Sequence, residues 1–123
     1  MNGELDTSSA IKLFLHSEKI KTGLIIVSSV LHQIISGKEI SEKELTLIRY
    51  LVNSLSGELE IAYRVTGNAC FKEVGILLDT FLSRISPKNI REQLDYLSRA
   101  VTVVATSADE AINVLLEKGL LTL

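Results

Sequence analysis

The side chains best suited to binding chemistry in this 123-residue chain cluster around its single proline. They are Arg84, Ser86, Lys88 and Arg91, and Pro87 lies among them. Cationic side chains beside the free backbone N–H groups of a helix start are a typical arrangement for binding phosphate or another anion. The spacing therefore predicts an anion-binding site at the beginning of the last helix.

The same charges also fit a solvated helix surface held together by ion pairs. Glu92 follows Lys88 by four residues, and Asp95 follows Arg91 by four. Opposite charges at this spacing pair on a helix surface. The sequence leaves both interpretations open.

The other reactive side chains do not form a catalytic pattern. His16 and His32 are not preceded by glutamate at the third position before them, so the Glu-x-x-His motif of di-iron bundles is absent. Cys70 lies near a predicted helix start, where a thiol pKa is often lowered, but a free cysteine is more commonly a buried apolar filler. The glycines are scattered, and no phosphate-binding loop motif occurs. We predict no catalytic residue, no metal site, no cofactor and no specific nucleic-acid partner.

Charge, length and hydropathy restrict the class of protein further. Thirteen basic against fifteen acidic residues give a net charge of -2, which attracts neither nucleic acid nor anionic lipid. The longest apolar stretch, residues 24–35, contains serine, histidine and glutamine and is shorter than the ~20 residues that span a membrane. Acidic Glu4 and Asp6 near the amino terminus argue against a signal peptide, and the single Cys70 agrees with a reducing compartment. We expect one domain over residues 1–123 and a cytoplasmic location.

Helices must position all of these side chains, because apolar residues recur at every third or fourth position along the chain. The pattern predicts helices over about residues 8–36, 42–66, 69–85 and 87–118. Connections of a few residues make successive helices antiparallel, so we predict an all-α, up-down-up-down four-helix bundle.

The inward positions of the four predicted helices are almost entirely apolar. They are Ala10, Leu13, Ser17, Ile20, Leu24, Val27, Leu31 and Ile34 in the first; Leu45, Ile48, Val52, Leu55, Leu59 and Ala62 in the second; Phe71, Val74, Leu78, Phe81 and Ile85 in the third; and Ile90, Leu94, Leu97, Val101, Val104, Ala108, Ala111 and Leu115 in the fourth.

Capping residues indicate where the helices begin. One of Thr7, Ser8 or Ser9 is expected to cap the first helix, a capping box from Ser41 to Glu44 starts the second, and Ser86 caps the fourth. Breaks at Gly57 and at Ser107 are the main alternatives to continuous helices. We favour continuity, because Gly57 lies at the outermost helical position, where a missing side chain costs no packing, and because the apolar pattern keeps its phase through Ser107.

The chain has more apolar residues than one bundle core needs. Hydrophobic residues make up 46% of it, and the mean hydropathy is +0.30. Either the first helix is covered on two sides of an irregular bundle, with Gly23 permitting the close approach of a neighbour, or the surplus forms a second interface. We predict a self-association interface made of Ile11, Leu15, Ile25, Ile26, Leu120, Leu121 and Leu123.

The leading prediction is therefore a non-enzymatic protein that works through protein association, as a homo-oligomer or as a small subunit of a larger assembly. The alternative is a helical bundle that binds a nucleotide or another anionic small molecule near the start of the fourth helix. A third hypothesis, an enzyme whose site forms between subunits, stays open.

Overall fold

A computed structural model of the protein describes residues 5–37 and 39–120. Helices account for most of these ranges: α1 Thr7–Ile35, α2 Glu42–Asn53, α3 Ser56–Thr66, α4 Ala69–Arg84, α5 Ile90–Gln93 and α6 Asp95–Glu117. Short breaks separate α2 from α3 and α5 from α6, so the six helices form four rods: α1, then α2 with α3, then α4, and last α5 with α6. The predicted all-α four-helix bundle is confirmed. Within the described ranges, no helix combines the length and the apolar character needed to cross a membrane.

Contacts between α1 and the second rod show that the two run antiparallel. Nζ of Lys19 lies 3.0 Å from Oε1 of Glu58. Gly23 lies one turn after Lys19 on α1 and faces Leu55, which lies about one turn before Glu58 on the second rod. Residue numbers therefore rise along α1 as they fall along the second rod.

The same reversed order recurs around the bundle. The thiol of Cys70, at the start of α4, contacts Ser107 in the second half of α6. Arg84, at the end of α4, donates to the hydroxyl of Tyr96 near the start of α6. The last rod also packs along α1, where Arg91 donates to the final carbonyl of that helix. Neighbours in sequence are thus neighbours in space, which is the up-down-up-down order.

The predicted inward positions form one apolar core. Those of the second and third rods are all buried. In α1, Ile35 is the buried residue at the helix end, whereas Ile34 is only partly buried. This one-position difference follows from the straight helix, whose side chains drift relative to a strict seven-residue repeat.

The buried face of α6 is wider than predicted. Leu94 and Val101 are partly buried, and Ala100 and Ser107 join the buried set. The reason is that α6 packs against both α1 and α4. A helix between two neighbours buries more than a single stripe of side chains.

The predicted continuous second helix is interrupted at Ser54 and Leu55, and the break is not at Gly57. The hydroxyl of Ser54 donates to the carbonyl oxygen of Leu51 at 2.6 Å. In a continuous helix that carbonyl would accept the N–H of Leu55, which bonds instead to Val52. Gly57 lies inside α3, and a Cβ there would meet no other atom within 4 Å.

The last rod begins at Ile90 and not at the predicted Pro87. The side chain of Asn89 folds back over the preceding turn: its Oδ1 accepts the N–H of Ser86 at 2.7 Å, and its Nδ2 donates to the carbonyl of Arg84 at 2.8 Å. These two bonds hold residues 86–89 as a turn, so Ser86 does not cap a helix.

A second interruption lies at Leu94, where the N–H of Leu97 bonds to the carbonyl three residues back. Beyond it α6 runs without a break through Ser107, as the constant phase of its apolar residues predicts. The serine is buried on the inward face.

Side chains satisfy the free N–H groups at other helix starts. The predicted capping box of Ser41 and Glu44 is present. In α1 the cap is Asp6, one residue before the predicted candidates, and its Oδ1 accepts the N–H of Ser9 at 2.7 Å. Bonds from the backbone and hydroxyl of Ser9 lower the pKa of the Asp6 carboxyl.

We expect Ser17→Ala to stabilise the bundle. Ser17 is fully buried, and its Oγ has no hydrogen-bond partner among the described residues. Because an unpaired buried hydroxyl costs about 1–3 kcal/mol, the free energy of unfolding should rise by about 1 kcal/mol in urea denaturation followed by circular dichroism. Ser107→Ala is the control: its hydroxyl has the Cys70 thiol as a partner, so that variant should not gain stability. A less stable Ser17→Ala protein would contradict this account.

Two glycine variants test the close contact between α1 and the second rod. A Cβ at Gly75 would meet nothing within 4 Å, whereas one at Gly23 would lie 2.8 Å from Cδ2 of Leu55. Gly75→Ala should raise the free energy of unfolding by about 0.5–1 kcal/mol. Gly23→Ala should be at least about 1 kcal/mol less stable than Gly75→Ala, because Leu55 must move within a packed core. Equal thermal stability of the two variants would show that the contact is not tight.

Candidate functional site

The residues of the predicted anion site lie at the junction of α4 and α5, but they point in different directions. Nη1 of Arg84 donates to the hydroxyl of Tyr96 at 3.0 Å, and its guanidinium carbon lies 5.8 Å from the centre of that ring. Lys88 and Arg91 instead line a cavity of about 230 Å³ next to the end of α1, together with the acidic Glu39. The four-residue cluster is therefore divided between two surfaces.

Hydrogen bonds within the chain already occupy parts of this cluster. Nη2 of Arg91 donates to the carbonyl of Ile35 at 3.5 Å, where a cation complements the negative end of the α1 dipole. The N–H of Ser86 bonds to Asn89. Since α5 has only four residues, it also offers little helix dipole to an anion. Anion binding here stays a prediction. The structure does not bring the side chains of Arg84, Lys88 and Arg91 together around one point, as such a site would require.

Tyr96 is the centre of a cation–aromatic cluster that sequence reasoning missed. The guanidinium of Arg99 lies 5.4 Å from the ring centre, and Arg84 contacts the same ring. Nε of Arg99 also lies 3.8 Å from Oδ2 of Asp95. The ion-pair partner of Asp95 is therefore Arg99, whereas the sequence suggested Arg91. The three-residue spacing from Tyr96 to Arg99 was the only local signal of this cluster.

Cys70 is a buried, protonated thiol. Its backbone N–H is capped by the side chain of Asn68 at 2.9 Å, while its side chain faces the core. Burial raises the pKa of the thiol, which outweighs the opposing effect of the hydrogen bond from Ser107. The position has the character of an apolar filler and not of an activated nucleophile.

The histidines do not share a site. His16 and His32 lie sixteen residues apart on α1, about 24 Å along the helix axis. Across residues 5–37 and 39–120, no group of three or more histidine, cysteine, aspartate or glutamate side chains is placed to hold a metal ion.

Exposed aliphatic side chains form a more coherent surface on α1. Leu15 lies four residues before Lys19. Ile26 lies seven residues after Lys19, and Val30 lies eleven after it. These intervals correspond to whole turns of helix, so the four side chains share one stripe. Leu15 is 60% exposed and Ile26 is 58% exposed.

A matching stripe lies beside it on the second rod. Ile61 and Val65 lie three and seven residues after Glu58, and Leu47 lies eleven residues before it. All three are exposed. Because Lys19 and Glu58 form an ion pair, the two stripes border the same surface. We call this surface the outer face; its apolar members are Leu15, Ile26, Val30, Leu47, Ile61 and Val65.

The predicted association residues are only partly assembled by the structure. Ile11, Leu15, Ile25, Ile26 and Leu120 are all exposed. Ile11 borders the outer face, but Ile25 is turned about 120° away from the stripe of Lys19. Leu120 lies beyond the end of α6, and the remaining two, Leu121 and Leu123, lie outside the described residues.

The valines of the outer face, Val30 and Val65, were missed in the sequence. Their helical spacing from Lys19 and Glu58 was visible, but only the ion pair between those residues shows that the two stripes are adjacent. No protein-family model, curated protein or solved structure matches the chain.

The raised pKa of Cys70 predicts a loss of stability at alkaline pH. Above the ordinary thiol pKa of 9.0 the unfolded chain releases this proton while the folded protein keeps it. The free energy of unfolding should therefore fall as pH rises, by up to about 1.4 kcal/mol per pH unit until the folded pKa is reached. Urea denaturation of the wild type and of Cys70→Ala at a series of pH values isolates the effect. Identical slopes for the two proteins would contradict it.

Proposed function

We propose that this protein is a non-enzymatic association protein that binds a second copy of itself through the outer face. The observation that carries the proposal is the pair of adjacent stripes, which place six exposed aliphatic side chains around one ion pair. Scattered exposed aliphatic residues are normal, but a contiguous patch over two neighbouring helices is typical of an interaction surface.

Two ion pairs near the outer face favour contact with another apolar surface, while the exposed Lys12 and Lys43 lie towards the ends of the stripes. Lys19 is paired with Glu58 at 3.0 Å, and Glu18 at the edge is paired with Lys21 at 2.7 Å. Neither pair leaves a net charge to be desolvated alone when a partner covers the face. We propose a cytoplasmic location with this function, in keeping with the free, buried Cys70.

Size-exclusion chromatography with light scattering tests the proposal directly. The wild type should be a dimer at micromolar concentration. Leu15→Gln/Ile26→Gln removes the two most exposed apolar groups of the face. In a symmetric dimer both copies lose the burial of these two apolar side chains, which weakens the free energy of association by about 3 kcal/mol or more. The dissociation constant should therefore rise at least about 100-fold.

Ile76→Gln is the matched control. Ile76 is 66% exposed, but it lies on α4, away from the outer face. This variant should keep the wild-type mass. A monomeric wild type would overturn self-association and favour the other form of the sequence hypothesis, a subunit of an assembly with a different protein. A dimer that survives Leu15→Gln/Ile26→Gln would show that another surface associates.

A further inference from the structure

We infer that the two copies pair about a two-fold axis parallel to the helices, so that α1 of each copy lies on the second rod of its partner. The inference rests on the proposed self-association and specifies its geometry. It follows from three properties of the outer face: the axial register of its apolar residues, the position of its charges, and its area.

The register of the two stripes is the first argument. Leu15 lies about 6 Å from the level of Lys19 along the bundle, and Ile61 lies about 4.5 Å from the level of Glu58. Because α1 and the second rod are antiparallel, both displacements are in the same direction. A two-fold axis along the bundle keeps each level unchanged, so Leu15 meets the partner's Ile61.

The other end of the outer face is in register as well. Val30 lies eleven residues after Lys19, and Leu47 lies eleven residues before Glu58. Val30 is therefore displaced by about 16 Å from the ion pair. Leu47 lies in the same direction, beyond the break at Ser54 and Leu55, and at roughly this distance, because the buried residues keep their helical spacing through the break. The same symmetry operation places Val30 against the partner's Leu47. Leu15–Ile61 and Val30–Leu47 contacts thus lie on both sides of the charges, whereas Val65 faces the partner's Lys12 and Ile26 faces no other member of the outer face.

Charge complementarity selects this arrangement over the other two-fold pairing. With the axis parallel to the helices, Lys19 faces the partner's Glu58, and Glu58 faces the partner's Lys19. An axis perpendicular to the helices also superposes apolar residues, with Leu15 on the partner's Ile26. That axis, however, brings Lys19 to within about 4.5 Å of the partner's Lys19 along the helix direction. Like charges at this separation oppose association, whereas the parallel axis gives an alternating square of four charges.

The area that a specific dimer interface buries requires both α1 and the second rod. A strip along α1 from Ile11 to Val30 is about 28 Å long and 10–12 Å wide, which is about 300 Å² for each copy. The resulting total of about 600 Å² is in the range of crystal contacts. Adding the neighbouring rod roughly doubles the footprint, to a total just above the ~1,000 Å² that a specific interface needs. A pairing of α1 with α1 alone is therefore too small.

Disulfide trapping between single-cysteine proteins tests the geometry. In a Cys70→Ala background, Val30→Cys protein is mixed with Leu47→Cys protein, oxidised with glutathione disulfide and weighed by mass spectrometry without reductant. The mixed disulfide should form at least 10-fold faster than in a mixture of Leu15→Cys with Ile26→Cys, which reports the perpendicular axis. Mixing separate proteins ensures that every mixed disulfide joins two copies.

Charge reversal tests, without a cysteine, whether Lys19 and Glu58 face the charges of the partner, while the disulfides distinguish the two axes. Lys19→Glu and Glu58→Lys each place four like charges together and should lower the dimer fraction, while a mixture of the two should restore a heterodimer. Circular dichroism confirms that each variant folds. With a dimeric wild type, a preference for the Leu15–Ile26 disulfide overturns the geometry but not self-association, and so does a charge mixture that forms no heterodimer. A monomeric wild type overturns both.

Discussion

The close approach of α1 to the second rod at Gly23 determines much of the structure around it. A Cβ at this position would lie 2.8 Å from Cδ2 of Leu55, so a larger residue here would displace the end of the Leu55 side chain. Leu55 is itself buried at the helix break, where the inward apolar pattern continues. One turn away, Lys19 and Glu58 are close enough to pair. The Gly23–Leu55 contact and this ion pair thus lie where the two stripes of side chains meet.

The interior of the bundle and its outer face are made from the same kinds of residue but have different roles. Inside, aliphatic and aromatic side chains form a continuous core, with the unpaired hydroxyl of Ser17 as an exception. Outside, aliphatic side chains flank a compensated ion pair. Burial of the first set stabilises the fold, while the second set remains available to a partner.

Helix positions were predictable where apolar periodicity is strong, and less so where side chains compete for backbone groups. The inward residues from Leu45 to Ala62 are all buried, as predicted, although the helix that carries them is broken. Periodicity does not detect the break, because the Ser54 hydroxyl takes a backbone acceptor without changing which residues face inward. Asn89 has the same effect at the start of the last rod. Such bonds depend on side-chain rotamers, which the apolar pattern does not specify.

The sequence by itself determined the helical class, the antiparallel order and nearly all of the core, because helical spacing decides which residues share a face. It also identified Leu15 and Ile26 as surplus apolar residues. Only the tertiary structure decided that Arg84 turns towards Tyr96, away from Lys88 and Arg91, and that Val30 and Val65 belong to one surface. The physical reason is that neighbours on one helix are set by local geometry, whereas neighbours on different helices depend on how closely the rods pack, here at Gly23.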